Sequence, residues 1–248
     1  MKLSGNTILI TGGGSGIGRE LAHRFHALGN KLIVAGRRRG QLDETVAGRE
    51  GMFAVELDVG DPASIGATAR ALVDDHPDLN ILINNAGIMA SENLSGSRDL
   101  GIAEATVTTN LLGPIRLTNA LIDHLKTRPD AAIINLSSGL ASVPLVSAPT
   151  YSATKAAIHS YTLSLREQLE GQVEVIELIP PGVQTNLTPG QSTREGYMPL
   201  QDYIDEVMTL FEQQPTPPEI AVDRVKFLRN AEAENRFPQT FATLNSLH

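Results

Sequence analysis

A short apolar run at residues 7–10 leads directly into Thr11-Gly12-Gly13-Gly14-Ser15-Gly16-Ile17-Gly18, and a helical pattern follows without a break. This junction of strand, glycine turn and helix constrains the chain more than any other feature. Glycine reaches φ > 0 and lets backbone N–H groups approach a ligand with no Cβ in the way. The helix start adds unpaired N–H groups and partial positive charge, which suits an anion such as a pyrophosphate. If Gly14 and Gly16 were the first pair of a G-x-G-x-x-G turn, Arg19 would stand at its third glycine. The spacing is instead G-x-x-x-G-x-G through Gly12, Gly16 and Gly18. A glycine turn alone also occurs with no ligand, so the rest of the chain must decide.

Further runs rich in Val, Ile and Leu recur at 31–35, 53–57, 81–83, 131–136 and 173–179. Most lack polar alternation, which implies strands buried on both faces and therefore a mostly parallel sheet. Helical patterns lie between them at 16–27, 41–47, 62–75, 101–126 and 151–170. Such alternation means right-handed βαβ units. The expected fold is α/β: one domain over 1–248, a doubly wound Rossmann sheet of seven strands with helices on both faces. Its ligand belongs beyond the C-terminal strand ends, at the switch point. The tail reads as helix at 197–213 and 218–233, with a last strand at 239–244. Residues 187–217 are expected to form a lid over the substrate.

Composition closes off other chemistry. The chain has no cysteine, which excludes disulfides, thiolate metal sites and a cysteine nucleophile. Its formal charge of −8 argues against nucleic-acid binding. No apolar stretch approaches the ~18 residues of a membrane span, and no targeting pattern opens the chain. A cytoplasmic protein without a membrane partner is expected. His23 and His26 sit three apart on a helix, but no acidic third ligand is spaced with them, so no metal is expected. No G-x-S-x-G elbow supports serine hydrolysis.

About 20 positions beyond a phosphate turn, a carboxylate would take a free ribose 2′-OH, whereas arginine accommodates a 2′-phosphate. Here Gly36 is followed by Arg37, Arg38 and Arg39, with no acid among them. Guanidinium forks match phosphate bidentately. The expected cofactor is NADP(H) in preference to NAD(H), with Arg37 and Arg38 as its markers. A solvated basic loop is the competing reading.

Tyr151 and Lys155 stand four apart at the start of a helix, on one face and one turn apart. A phenol titrates near pH 10 and is a poor acid–base group until a nearby ammonium lowers that value. The pair makes proton transfer feasible near neutral pH.

Taken together, the Thr11–Gly18 run, Asp58-Val59, Asn84-Asn85-Ala86-Gly87, Asn110, Ser138, the Tyr151/Lys155 pair and Pro181-Gly182 with Thr185 resemble the short-chain dehydrogenase/reductase family, over roughly residues 5–187. Ser137-Ser138-Gly139-Leu140-Ala141 and Pro180-Pro181-Gly182-Val183 resemble its DltE-like oxidoreductase subgroup. The resemblance implies an oxidoreductase that moves a hydride between nicotinamide and a carbonyl or secondary alcohol. Tyr151 would be the acid in reduction, and Lys155 would tune it and hold the nicotinamide ribose. Ser138 would bond the substrate oxygen, and Asn110 would hold a water relaying protons to Lys155. Ser138 stands at the family's spacing before the tyrosine. Its neighbour Ser137 reads as a strand-end hydroxyl bonded to backbone, and Ser142 as a loop residue.

By the same resemblance, Gly12, Ser15, Gly16, Ile17, Gly18, Asp58, Val59, Asn85, Ala86, Gly87, Pro181, Gly182, Val183 and Thr185 would bind cofactor. The substrate wall would use Leu140, Leu145, Tyr197 and Met198 beside Ser138 and Tyr151. Its apolar character implies a hydrophobic ketone or aldehyde. A homodimer through the helices at 101–126 and 151–170 is expected, with a tetramer as the alternative, since residues 241–248 carry no glycine-rich segment for a second interface. The rival reading, a non-catalytic NADP(H)-sensing protein, would have lost Tyr151 or Lys155. An epimerase or dehydratase would need a larger substrate domain.

Overall fold

The structure is a computed structural model that describes residues 1–246. The last two residues of the tail weighed above for assembly lie outside the described residues. Strands β1 (Thr7–Thr11), β2 (Lys31–Gly36), β3 (Met52–Glu56), β4 (Leu79–Asn84), β5 (Ala132–Leu136), β6 (Glu174–Ile179) and β7 (Glu219–Ala221) form one seven-stranded sheet. Their order is β3-β2-β1-β4-β5-β6-β7, and each pairing is parallel. Helices α1 (Gly16–Ala27), α2 (Arg39–Val46), α3 (Pro62–Asp75), α4 (Gly101–Val107), α5 (Gly113–Leu125), α6 (Pro149–Gln168), α7 (Leu200–Phe211), α8 (Asp223–Arg229) and α9 (Phe237–Ser246) complete the described fold.

The uninterrupted apolar strands feed two cores. Ile8, Ile10, Leu32, Val34, Ile81 and Ile83 face one side, with Phe25 of α1 and Phe211 of α7, whose rings meet edge-on at 5.6 Å. Leu9, Ile33, Ala35 and Leu82 face the other, with Leu72 of α3 and Leu117 and Leu121 of α5. Each fully buried aliphatic side chain contributes about 1.5–3 kcal/mol. The chain winds outward from β1 to β3, then returns to β4 on the opposite side of β1. The connections therefore diverge above the C-terminal ends of β1 and β4, which opens a crevice there.

Four expectations are corrected. Residues 239–244 are not a strand: they lie in α9, where Phe237 and Phe241, one turn apart, stack at 6.0 Å. The seventh strand is Glu219–Ala221, at the head of the segment expected to be helical. Three residues carry too little periodicity to read, and Pro217-Pro218 suggested a helix start instead. The helix expected over 101–126 is interrupted by a π-helical turn at Thr108–Leu112. Of residues 187–217, α7 buries Tyr203, Ile204, Val207 and Phe211 completely, so this helix belongs to the core rather than to a lid. Among the described residues no helix is long and apolar enough to cross a membrane.

Candidate active site at the strand ends

The glycine turn is fastened to the neighbouring strand. Gly12 sits at φ +68°, where an L side chain is strained. A Cβ on Gly18 would fall 2.4 Å from Asn85 Nδ2 and 2.5 Å from the Gly12 carbonyl. The reason is a clamp. Asn85 Nδ2 donates to the carbonyls of Thr11 (2.8 Å) and Gly12 (3.3 Å). In return the backbone N–H groups of Asn85 and Ala86 both donate to Thr11 Oγ1 at 3.0 Å. Arg19 braces the turn from behind, its Nη2 and Nε donating to the Gly14 carbonyl at 2.5 and 3.1 Å. Ser15 caps α1 without a side-chain hydrogen bond, and the first turn carries no acid. The helix start is thus free to meet an anion.

A cavity of about 470 Å³ runs from this turn across the strand ends. Gly12, Ser15, Gly16, Ile17, Arg37, Arg38, Asp58, Val59, Asn85, Ala86, Gly87, Ser138, Tyr151, Lys155, Pro181, Val183 and Thr185 line it. Arg37 and Arg38 are exposed at its rim, and neither guanidinium bonds the protein among the described residues, whereas that of Arg39 is held by Asp43 at 2.8 Å. Asp58 accepts from Gly60 N through one oxygen only (2.8 Å). Ser137 Oγ lines the same cavity, is buried, and has no hydrogen-bond partner. The expected backbone bond to that hydroxyl is therefore not formed. An orphaned polar atom, two unpaired guanidinium groups and a helix start with no side-chain cap bond and no acid all fit a bound dinucleotide.

Gly18, Gly182, Asn110, Leu140, Leu145, Tyr197 and Met198 lie behind or beside this lining. The Tyr197 ring packs over Gly182, close enough that a Cβ there would meet it at 3.2 Å, and the Arg194 guanidinium stacks 5.1 Å from its centroid. Met198 is not an adaptable substrate contact. It is buried in the core beside Val183, and its backbone pairs with Gly182 O and Gln184 N at 2.8 Å. Leu145 packs with Ala148 and Tyr151, ringed by Leu140, Met89 and Leu244, an apolar wall on the tyrosine's flank.

Tyr151 lies in the first turns of α6, and Glu92 fixes that helix start. Thr150 N and Oγ1 donate to the Glu92 carboxylate at 3.1 and 2.9 Å, and Arg98 Nη2 donates at 3.0 Å. Burial would raise the Glu92 pKa, but the bonds from Thr150 and Arg98 outweigh it and leave the group below its ordinary value. Lys155 Nζ lies 5.6 Å from the Tyr151 ring centroid and donates to Leu136 O at 2.8 Å. Burial pulls the lysine down to about 8, opposed by the charge of Glu177. Burial pushes Tyr151 up to about 12, a hydrogen bond with Ser138 opposing it and nearby Tyr197 adding to it. The expected lowering of the phenol by the ammonium is not found: desolvation dominates, and the group that opposes it is Ser138.

Ser138 Oγ accepts from Leu140 N at 3.1 Å and caps the short 3₁₀ turn Gly139–Ala141. Asn110 sits in the π turn, a distortion common at functional sites. Its side chain is closed on Ile88, with Oδ1 accepting from the backbone N and Nδ2 donating to the backbone O, each at 2.8 Å. The same Nδ2 also reaches Thr154 Oγ1 at 3.4 Å, so the side chain serves first to tie the π turn to Ile88 and α6.

Sequence reading missed Glu92, Gln191 and Met89. Gln191 Nε2 donates to Val183 O (2.8 Å) and Thr185 Oγ1 (3.1 Å), tying the short segment after β6 to the cavity edge. His23 and His26 bond separate carbonyls, of Thr45 and Glu50, and form no ligand pair. One group among the described residues, His159, Glu177 and Glu219, brings ligand atoms within 4.8 Å, but Arg229 already neutralises Glu219 at 2.7 and 3.1 Å.

Residues 6–196 match the family model described as short chain dehydrogenase. The "Uncharacterized oxidoreductase DltE" of Bacillus subtilis is 37% identical over 237 residues, covering 93% of each chain. The NADP-dependent 3-hydroxy acid dehydrogenase of Schizosaccharomyces pombe is 31% identical over 194 residues, 75% of each. A short chain dehydrogenase from Burkholderia cenocepacia, solved in complex with NADP, superposes with a TM-score of 0.84 at 25% identity, covering 98% of this chain and 99% of its own. The glycine turn, the Ser138–Tyr151–Lys155 cluster and this match agree: the chain belongs to the short-chain dehydrogenase family of oxidoreductases and is a DltE-like member of it.

Proposed function

We propose that the chain is an NADPH-dependent carbonyl reductase acting on a hydrophobic ketone or aldehyde. The observation that carries this reading is the convergence of Tyr151, Ser138 and Lys155 on one wall of the cavity that the glycine turn and Arg37/Arg38 open at its other end. NADPH bound along this cavity supplies the hydride. Gly12, Ser15, Gly16 and Ile17 would hold its pyrophosphate, Arg37 and Arg38 its 2′-phosphate, and Asp58, Val59, Asn85, Ala86 and Gly87 its adenosine. Pro181, Gly182, Val183 and Thr185 would cover the nicotinamide. Ser138 and Tyr151 would both donate to the substrate carbonyl oxygen, where charge develops. A phenol held near 12 stays protonated at neutral pH, which suits it to give its proton to an alkoxide, a much stronger base. Lys155 would hold ribose hydroxyls and return the proton. Leu145, Leu140 and Met89 offer the substrate an apolar wall. The printed names of the fission-yeast relative and of the Burkholderia structure, both with NADP, support the cofactor.

The reading is tested by following NADPH oxidation with a panel of aldehydes, aryl ketones, 3-oxoacyl thioesters and sugars. Apolar carbonyls should turn over and sugars should not; silence across the panel sinks the proposal. Cofactor choice has its own test. Hydrogen bonds to a charged group contribute about 1.5–3 kcal/mol, so Arg37→Asp should raise the KM for NADPH at least ~10-fold while leaving that for NADH within about twofold. An unchanged ratio removes the arginine from the cofactor site. As an assembly we propose a cytoplasmic homodimer through α4–α5 and α6, where Ile102 and Leu163 leave apolar surface exposed.

A further inference from the structure

Four strands carry polar residues side by side. Asn84 pairs in register with Asn135, Asn135 with Glu177, and Glu177 with Glu219. This row crosses the face of the sheet that carries α5 and α6. Its amide half is internally satisfied: Asn84 Nδ2 donates to Asn135 Oδ1 (2.9 Å) and Thr118 Oγ1 (3.2 Å), and Asn135 Nδ2 to Thr162 Oγ1 (3.0 Å). Its acidic half is different. Glu177 is 1% exposed, and its side-chain partner is His159 Nδ1, at 2.7 Å from Oε2. A carboxylate this deep is costly unless positive charge lies close. His159 is one turn beyond Lys155 on the same face of α6. Lys155 Nζ rests on the carbonyl of Leu136, the residue next to Asn135, which is Glu177's neighbour across the sheet.

We propose that Glu177, oriented by His159, is a positioning residue for the reaction, keeping Lys155 in its ammonium form against the desolvation of the cavity. This rests on the reductase reading above, in which that ammonium serves Tyr151. The charged groups around Glu177 leave it this role. On α6 they are Lys155, His159 and Arg166; the Arg166 guanidinium is held by the carbonyls of Val175 and Pro218 at 2.8 Å. On β7, Glu219 is matched by Arg229 of α8. Glu177 also faces His159 and acts on Arg229, but it is the buried carboxylate paired across the sheet with Asn135, next to the carbonyl that holds Lys155. The direction agrees: burial depresses the lysine, and the field of Glu177 opposes that depression.

The test titrates Lys155 directly. The chain is labelled with ¹³C at lysine Cε, and the Lys155 resonance is assigned by its loss in Lys155→Met. In Glu177→Gln, which keeps an oxygen for His159, the midpoint should fall by about one pH unit. His159→Gln, which leaves Glu177 charged but less firmly oriented, should give a smaller fall. The alkaline limb of kcat against pH should move down by the same interval, with rates near pH 6 within about twofold of the parent. An unmoved midpoint in both variants, with native circular dichroism, overturns the proposal. If Glu177→Gln does not fold, the His159→Gln midpoint decides. The NMR titration needs no substrate, so a chain that reduces no carbonyl sinks the reductase reading without obscuring the Lys155 result.

Discussion

Tyr151→Phe is expected to lower kcat on the order of 10³-fold or more while NADPH binding stays within about threefold of the parent. The substitution removes one oxygen and keeps the ring, so the packing against Leu145 and Ala148 survives. Two effects are lost together. A positioned general acid contributes about 10²–10⁴ in rate, and the same hydroxyl is one of two donors aimed at the developing alkoxide. The fold should tolerate the change, because a phenol whose pKa burial pushes up to about 12 is neutral in the parent as well. No buried charge is stranded. Steady-state rates and a fluorescence titration of NADPH on the same preparation make the comparison. A Phe variant within tenfold of the parent rate would move the acid elsewhere; a variant that also loses NADPH would recast Tyr151 as part of the binding wall.

What the sequence made legible has a common physical basis: it is coded locally. The alternation of apolar strands and helices, the glycine turn with Arg37 and Arg38 beyond it, and the one-turn spacing of Tyr151 and Lys155 each follow from residues a few positions apart. What stayed hidden depends on contacts between distant segments. Asn85 reads as a turn residue, yet its amide clamps Thr11 and Gly12 across the switch point. Glu92 lies in a stretch without periodicity and anchors the start of α6 through Thr150. The Glu177–His159 pair joins a strand to a helix, and neither residue signals the other. The exchange of β7 for α9 has another cause. A three-residue strand carries no pattern of its own and forms because β6 offers it a hydrogen-bonded edge. The π turn is equally silent, because nothing in Thr-Thr-Asn-Leu-Leu departs from a helical sequence. Met198 has the side-chain character of an adaptable pocket contact, but its register against Val183 places it in the core.

Ser138→Ala should lower kcat about 10²–10³-fold, the usual cost of removing one donor to a developing oxyanion. The geometry says why this serine is a donor. Its oxygen already accepts from Leu140 N at 3.1 Å, which fixes the rotamer and turns the hydroxyl hydrogen away from the backbone. Its bond with Tyr151 opposes the rise that burial imposes on the phenol. Alanine therefore removes a donor to the substrate and a partner to the acid in one step. It also leaves Leu140 N without its cap, which costs about 0.5–2 kcal/mol of stability, so rates are to be compared well below the melting temperature. The KM for NADPH should not change. Ser138→Thr restores a hydroxyl at an extended backbone position, φ −172°, which a β-branched residue accepts, and it should recover part of the loss. The neighbouring Ser137 supplies the control: its hydroxyl lines the same cavity but bonds neither Leu140 nor Tyr151. Should Ser137→Ala cost more than Ser138→Ala, the two serines exchange roles, and the carbonyl oxygen must sit one residue closer to the strand than this geometry implies.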